Sequence, residues 1–145
     1  MFREKFITKW NLIFLAWLVA CLATAGSLFF SEVMSLPPCA LCWYQRICMY
    51  PIVIILLPAV IAFDRSVLRY SMPLVALGWS ISIYHNLVYY GVISESLSPC
   101  SMGVSCKAQF IQWAGLIDIP QLSLLAFSLL IAILLKLTGV IQNEK

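Results

Sequence analysis

The chain has 145 residues, of which 63% are hydrophobic and only 10% are charged, and its formal net charge is +3. A soluble domain of this length cannot hide so much apolar surface, because much of any small domain lies at its surface. Lipid is therefore expected to be the solvent for much of the chain. The basic residues are spread along the sequence, which argues against a nucleic-acid-binding patch. The length suits one membrane domain covering residues 1–145.

Four apolar stretches are long enough to cross a bilayer as helices. A crossing needs about 20 predominantly apolar residues, and such stretches run over residues 12–30, 43–62, 72–90 and 120–137. The fourth opens on Pro120, a residue suited to the first turn of a helix. The sequence therefore predicts an all-α integral membrane protein, built as a four-transmembrane-helix bundle.

Basic residues lie mostly on one side of these spans. The flanks on that side carry seven of them, namely Arg3, Lys5, Lys9, Arg65, Arg69, Lys136 and Lys145. The opposite side carries only Lys107, and Arg46 falls inside span two. Because Lys and Arg are retained in the cytoplasm, both termini are predicted to be cytoplasmic. The segments 31–42 and 91–119 are then the outer loops.

The N-terminal segment has a second interpretation. Residues 1–25 resemble a cleavable signal peptide, with a basic start, an apolar run and the small residues 23–25. The apolar run continues to Phe30, which is longer than a signal peptide requires. We therefore expect a retained first span; cleavage would leave three spans with the same sidedness.

The six cysteines fall into two classes. Cys21 and Cys48 lie within predicted spans and are interpreted as small buried apolar residues. The others lie on the predicted outer side, where disulfides are permitted, and are Cys39, Cys42, Cys100 and Cys106. Sequence alone does not fix their pairing.

Three interpretations of these four outer cysteines are open. Structural staples are disfavoured for the C-x-x-C pair, since so small a loop stabilises little. A zinc site is disfavoured by the five-residue gap between Cys100 and Cys106. The favoured interpretation is two dithiol/disulfide pairs that exchange with each other, with no metal.

The C-x-x-C motif has the surroundings of a reactive thiol pair. Pro37 and Pro38 prevent a helix before Cys39, so span two should start at or just after the motif. Cys42 then lies near a helix N-terminus, which favours a thiolate. Arg46, one turn deeper on the same face, adds positive charge. An arginine inside a membrane span is a functional candidate, although it could instead extend to the headgroups.

Two further features concern the outer side. The segment after Cys106 is amphipathic and aromatic over residues 109–117, which predicts a short interfacial helix in the second outer loop. His85 is the only histidine and lies toward the outer end of span three. It is a candidate proton donor to a bound cofactor, or else a hydrogen-bonded structural residue.

The run PCALCWYQR, from Pro38 to Arg46, resembles the signature of the bacterial disulfide bond formation protein B (DsbB) family. The chain is most similar in size and layout to short BdbC-type members. The similarity extends to the cysteine pair between spans three and four, and to residues 119–124 at the start of span four.

The resemblance implies a thiol:quinone oxidoreductase in the bacterial cell membrane. Its expected partner is an extracytoplasmic thioredoxin-like thiol oxidase of the DsbA/BdbD kind. Electrons would enter at Cys100 and Cys106, move to Cys39 and Cys42, and leave from Cys42 to a quinone near Arg46. Menaquinone and ubiquinone are both compatible with this scheme.

Two other functions remain open. A vitamin K epoxide reductase-like quinone enzyme is also a four-helix protein, but its C-x-x-C motif opens the last core helix, whereas here the motif opens the second span. A non-enzymatic membrane scaffold would hold the same cysteines as structural disulfides. Exchangeable thiols and a bound quinone would distinguish the oxidoreductase from the scaffold.

Overall fold

The computed structural model describes residues 2–94, 105–106 and 118–143, with side chains from Ile7 onward. The described residues form helices and their connections, without strands, which confirms the all-α prediction. The helices are α1 (Phe2–Leu28), α2 (Ala40–Ile61), α3 (Ser66–Tyr89) and α4 (Ile119–Gln142). A π-helical turn, Phe29–Val33, extends α1. The predicted interfacial helix at 109–117 lies outside the described residues.

Three of the helices are long and apolar enough to cross a membrane. These segments are Ile7–Val33, Ala40–Ile61 and Ile119–Gln142, and they correspond to the first, second and fourth predicted spans. The chain is therefore a multi-pass membrane protein. α3 covers the third predicted span but is less apolar, because it contains more polar residues. Several of these are buried inside the bundle, namely Ser71, Ser82, His85 and Asn86.

The four helices form a closed antiparallel bundle. α1 and α3 each pack against both α2 and α4. One cavity is lined by the end of α1, the start of α2, the end of α3 and the start of α4. These four helix ends therefore meet at the same end of the bundle. At the other end, Trp10 Nε1 donates to the carbonyl oxygen of Val60 at 2.9 Å, and the Lys9 ammonium lies 5.8 Å from the centre of the Phe63 ring.

Close packing and polar contacts both hold α3 against α4. Phe127 is 1% exposed, and its ring lies against Gly78, where a Cβ atom would overlap it. Asn86 Nδ2 donates to the carbonyl oxygens of Ser82 at 2.8 Å and Pro120 at 2.9 Å. These contacts fix the end of α3, which carries His85, beside the start of α4.

Candidate active site

The C-x-x-C motif forms the N-terminus of α2. Cys39 is the N-cap residue, with φ −71° and ψ 170°, and the helix begins at Ala40. The Cys39 sulfur accepts a hydrogen bond from the Cys42 backbone N–H, with an N···S distance of 3.4 Å. This geometry agrees with the helix start expected from Pro37 and Pro38. The N–H groups of the first turn, which have no partner within the helix, therefore favour negative charge on the sulfur of Cys39.

The two cysteines form a dithiol, and when it loses a proton the negative charge is best stabilised on Cys39. Both are free, and their sulfurs are 3.1 Å apart. A hydrogen bond from the Cys42 thiol, assisted by the His85 imidazole, lowers the pKa of Cys39 to about 4 against the opposing effect of burial. This differs from the expectation that Cys42 carries the thiolate. Cys39 is the N-cap residue of the helix, and its thiolate accepts a hydrogen bond from the Cys42 thiol.

His85 connects Cys39 to a second residue of α2. Its Nε2 atom is 3.8 Å from the Cys39 sulfur, and its Nδ1 atom is 3.3 Å from Gln45 Nε2. All three side chains are buried. The imidazole thus has one nitrogen at the redox motif and the other at an amide that the sequence analysis did not select.

Cys106 lies beside this group. It is disulfide-bonded, and its sulfur, the Cys39 sulfur and a ring nitrogen of His85 all lie within 4.8 Å of one another. Cys100 lies outside the described residues, so its pairing with Cys106 stays a prediction. Since thiolate is the form of cysteine that binds metal, the disulfide-bonded Cys106 is no zinc ligand in this state.

Arg46 is anchored to α1 from one turn below Cys42. Its Nε donates to the Ser27 hydroxyl and its Nη2 to the Ser27 carbonyl oxygen, both at 2.9 Å. The guanidinium carbon lies 5.3 Å from the centre of the Trp43 ring. Arg46 is only half-buried, and its guanidinium lies on the cavity wall beside α1.

A cavity of about 410 Å³ connects these residues. The described site residues on its wall are Cys39, Cys42, Gln45, Arg46, His85 and Cys106. The walls from α1, its π-helical extension and α4 are mostly apolar and include Ala23, Phe30, Leu125 and Leu129. The volume lies in the range of small-molecule sites, and a few polar groups in an apolar lining are their usual composition.

Five of the six predicted site residues therefore share one cavity; the sixth, Cys100, is outside the described residues. Sequence analysis missed Gln45 and Ser27. Gln45 had a signal, since an amide inside an apolar span needs a hydrogen-bonding partner. Ser27 had none, because its contact with Arg46 depends on how α1 packs against α2.

Comparisons with known proteins agree with this arrangement. A family profile described as "Disulfide bond formation protein DsbB" matches residues 9–137. The chain is 44% identical to Disulfide bond formation protein C of Bacillus subtilis (strain 168) over 127 residues, covering 88% of this chain and 92% of that protein. No solved structure gave a significant match.

Relatives from other bacteria show the same similarity. The chain is 42% identical over 127 residues to a probable disulfide formation protein of Metapseudomonas resinovorans, covering 87% of this chain and 88% of that one. It is also 42% identical over 131 residues to a probable disulfide formation protein of Deinococcus radiodurans, covering 84% and 85%. The similarity thus spans nearly the whole length of each relative.

Proposed function

The chain belongs to the disulfide bond formation protein DsbB family, and from that membership we propose that it is a membrane thiol:quinone oxidoreductase that reoxidises an extracytoplasmic thiol oxidase. One observation carries the proposal: the free dithiol of Cys39 and Cys42 faces a disulfide-bonded cysteine on one side and a largely apolar cavity on the other. A purely structural disulfide would not require a free dithiol that faces both a second disulfide and the cavity.

The first half of the reaction is thiol–disulfide exchange. A thiolate of the partner attacks Cys100 of the Cys100–Cys106 disulfide, and Cys106 leaves as a thiolate. The partner's second thiol resolves the mixed disulfide, so the partner becomes oxidised and the loop pair becomes a dithiol. Two electrons have then moved from the partner to this chain.

The second exchange passes these electrons to the C-x-x-C motif. Cys106 attacks the sulfur of Cys39 in the oxidised motif, and Cys42 leaves as a thiolate. Cys100 then attacks Cys106, which restores the loop disulfide and releases Cys39. The proximity of the Cys39 and Cys106 sulfurs supports this route. The described state, with Cys39 and Cys42 free and Cys106 in a disulfide, has the composition reached after this step.

The roles of the two motif cysteines follow from this sequence. While Cys39 is bonded to Cys106, it cannot accept the hydrogen bond from Cys42 as a thiolate. Cys42 is then the free sulfur, next to the start of α2 and one turn above Arg46. We therefore assign Cys39 to exchange with the loop and Cys42 to the quinone, although Cys39 carries the charge in the dithiol.

The cavity residues fit a quinone. A quinone, when bound, accepts two electrons and two protons from the dithiol. Arg46 would hold a quinone oxygen with its guanidinium donors, because it already lies at the wall that Cys42 shares. The apolar residues of α1 and α4 would enclose the ring and its hydrocarbon tail. Menaquinone and ubiquinone both meet these requirements.

The bundle and the distribution of basic residues support a proposed membrane arrangement. α3 has 24 residues, and at about 1.5 Å rise per residue it is long enough to span the hydrocarbon layer. We propose that α3 also crosses the membrane, which gives four crossings, and that its polar side chains face the site. With four crossings both termini lie on the same side of the membrane, and the basic residues on that side make it the cytoplasmic one. The chain then lies in the bacterial cell membrane, and residues 1–145 form one domain. The cavity end of the bundle faces the extracytoplasmic partner.

A trapping experiment tests the partner and the route together. Replacing Cys106→Ala leaves Cys100 without its proposed disulfide partner, so a mixed disulfide with the thiol oxidase should accumulate in cells. Non-reducing electrophoresis and mass spectrometry of the excised band should identify a thioredoxin-like protein joined through Cys100.

Matched variants make the trap specific. Cys48→Ala removes a buried cysteine of α2 outside the proposed route and should trap nothing beyond the wild type. Adding Cys100→Ala to Cys106→Ala should abolish the adduct. Retained disulfide-forming activity in Cys106→Ala cells, with no adduct, would contradict the proposed route and favour a structural role for this pair.

A further inference from the structure

The buried amide of Gln45 has no part in the exchange scheme. Gln45 lies in the first two turns of α2, is 7% exposed, and points its Nε2 atom at His85. Burying an amide without a partner costs free energy. Its partner here is the single imidazole that also contacts the redox motif, which makes the pair a candidate for control of Cys39.

We propose that Gln45 is a positioning residue: by hydrogen bonding to Nδ1 of His85 it holds Nε2 against the Cys39 sulfur, so that His85 exchanges a proton with Cys39 and not with the quinone. His85 of α3 contacts both α2 side chains: its Nδ1 is 3.3 Å from Gln45 Nε2, and its Nε2 is 3.8 Å from the Cys39 sulfur. This deepens the proposed function, because it rests on Cys39 being the exchanging thiol.

Proton transfer between Cys39 and His85 depends on which ring nitrogen of His85 carries the proton. A neutral imidazole has one N–H group and one lone pair. When the Gln45 amide donates to Nδ1, the proton is on Nε2 and points at Cys39, where it stabilises a thiolate. In the other tautomer Nδ1–H is donated to the amide oxygen and Nε2 carries the lone pair, so Nε2 can take the proton of a Cys39 thiol and the ring becomes an imidazolium beside the thiolate. A glutamine can satisfy both states by rotating its amide.

Among the described residues, few other titratable or charged groups lie near Cys39, His85 and Gln45. From α2 they are Cys42, Arg46 and Tyr50, and from α3 Tyr84 packs nearby. The disulfide-bonded Cys106 does not titrate. The described residues of α1 and α4 that line the cavity are apolar or are serines. Replacing Gln45 therefore changes the nearest polar partner of His85 while leaving the charges of its neighbours in place.

The test measures the reactivity of Cys39 directly, without a quinone or a partner. All variants carry Cys42→Ser, which keeps a hydroxyl donor to Cys39 and removes the competing thiol. The fully reduced protein is alkylated with iodoacetamide over a range of pH, and peptide mass spectrometry reads the rate at Cys39. Only thiolate reacts, so the rate reports the fraction ionised.

Gln45→Leu should move the midpoint of the alkylation profile upward by about one pH unit, so that the rate below the midpoint falls about tenfold. Gln45→Glu should keep the midpoint at or below the parent value, because a carboxylate accepts from Nδ1–H and favours the imidazolium beside the Cys39 thiolate. Ser82→Ala is the control: it removes a neighbouring buried polar group of α3 whose hydroxyl has no hydrogen-bond partner among the described residues, and it should leave the midpoint unchanged.

A folded Gln45→Leu variant with the parent midpoint would overturn the proposal, as would an equal shift in Ser82→Ala. If Gln45→Leu does not fold, Gln45→Glu decides, because a midpoint above the parent value contradicts a pairing with Nδ1. Failure of this test would leave quinone reduction and partner exchange standing, whereas their failure would not alter the alkylation profile.

Discussion

Three groups contact the sulfur of Cys39, and each lowers its pKa. They are the Cys42 thiol, the Cys42 backbone N–H and the His85 imidazole. Each comes from a different physical source: a neighbouring side chain, a helix N-terminus and a second helix. Because each favours the thiolate over the thiol, the most nucleophilic form of Cys39 is available in the dithiol at neutral pH.

The pH dependence of Cys39 alkylation follows from this arrangement. The pKa of Cys39 is lowered to about 4, so its thiolate is fully formed above that value and is lost as the pH falls through it. In the dithiol form, the rate with iodoacetamide should be nearly constant from about pH 6 to about pH 8, whereas an ordinary thiol, of pKa about 8.5, gains tenfold for each pH unit. A rate at Cys39 that rises tenfold per unit across this range would contradict the account.

Arg46→Met should weaken quinone binding more than thiol exchange. It removes the guanidinium that lines the cavity, and a hydrogen bond to a charged group contributes about 1.5–3 kcal/mol. The apparent KM for a soluble quinone should therefore rise about 10- to 100-fold. Oxidation of the partner in a single turnover, without quinone, should change little.

Arg69→Met is the control for that substitution. Arg69 is an exposed arginine of α3 that does not line the cavity, so the same change there should leave the KM for quinone as in the wild type. Equal effects of the two substitutions would assign the loss to net charge and not to the site.

At this scale, the sequence predicts residues that belong to one local motif. Cys39, Cys42 and Arg46 are ordered along a single helix, so their spacing alone brings them together. Ser27 and Gln45 were missed because their roles are set by contacts between helices. Ser27 meets Arg46 across the α1–α2 interface, and Gln45 meets His85 across the α2–α3 interface.

At the scale of elements, α3 and α4 are joined at the site by a polar network. The Tyr89 hydroxyl donates to Asp118 Oδ2 at 2.5 Å, and the Asp118 N–H donates to Gln121 Oε1 at 3.3 Å. Gln121 Nε2 in turn donates to the Tyr90 hydroxyl. The network lies at the membrane-boundary end of both helices, where it fixes the start of α4 and hence the cavity wall.

Gly78→Ala should destabilise the α3–α4 pair. The added methyl group overlaps the buried Phe127 ring, and overpacking of this kind costs about 1–3 kcal/mol. Gly139→Ala is the matched control, because nothing lies within 4 Å of its added Cβ and alanine favours a helix by about 1 kcal/mol. Unfolding in mixed detergent should show a lower midpoint for Gly78→Ala only; equal midpoints for the two would contradict this packing.

The helices exist where apolar runs predict them, but their ends do not coincide with those runs. α1 begins at Phe2 and α3 at Ser66, well before the predicted starts at residues 12 and 72. The apolar run measures the part in hydrocarbon, whereas backbone hydrogen bonding continues into the polar boundary. α3 also shows why hydropathy underestimates a helix whose polar side chains, such as His85 and Asn86, are buried against other helices.

At the scale of the whole molecule, the cysteines lie at one end of the bundle, and the described basic residues other than Arg46 lie toward the other end. The cavity and its cysteines lie where α1 ends and α2 begins, whereas Lys9, Arg65 and Arg69 lie toward the other end, at the start of α1 and the connection from α2 to α3. In the proposed topology the basic end lies in the cytoplasm, as the positive-inside rule predicts. The cysteines would then face the oxidising side, where disulfide exchange can operate.

Labelling of intact cells tests this orientation. In a variant whose four outer cysteines are replaced by serine, Glu32→Cys should react with a membrane-impermeant maleimide, because residue 32 is exposed at the cavity end. Ala62→Cys, exposed at the opposite end, should react only after the cells are permeabilised. The reverse pattern would contradict the proposed topology.

The proposed function depends most directly on electron transfer from the dithiol to a quinone. The purified protein, reduced at Cys39 and Cys42 and freed of reductant, is mixed with one equivalent of a soluble ubiquinone analogue. The absorbance lost on quinone reduction and the Cys39–Cys42 disulfide formed are then measured together. We expect one quinol for each new disulfide, and no quinol from Cys42→Ser. Equal quinol from Cys42→Ser, or a stable dithiol in the presence of quinone, would contradict it.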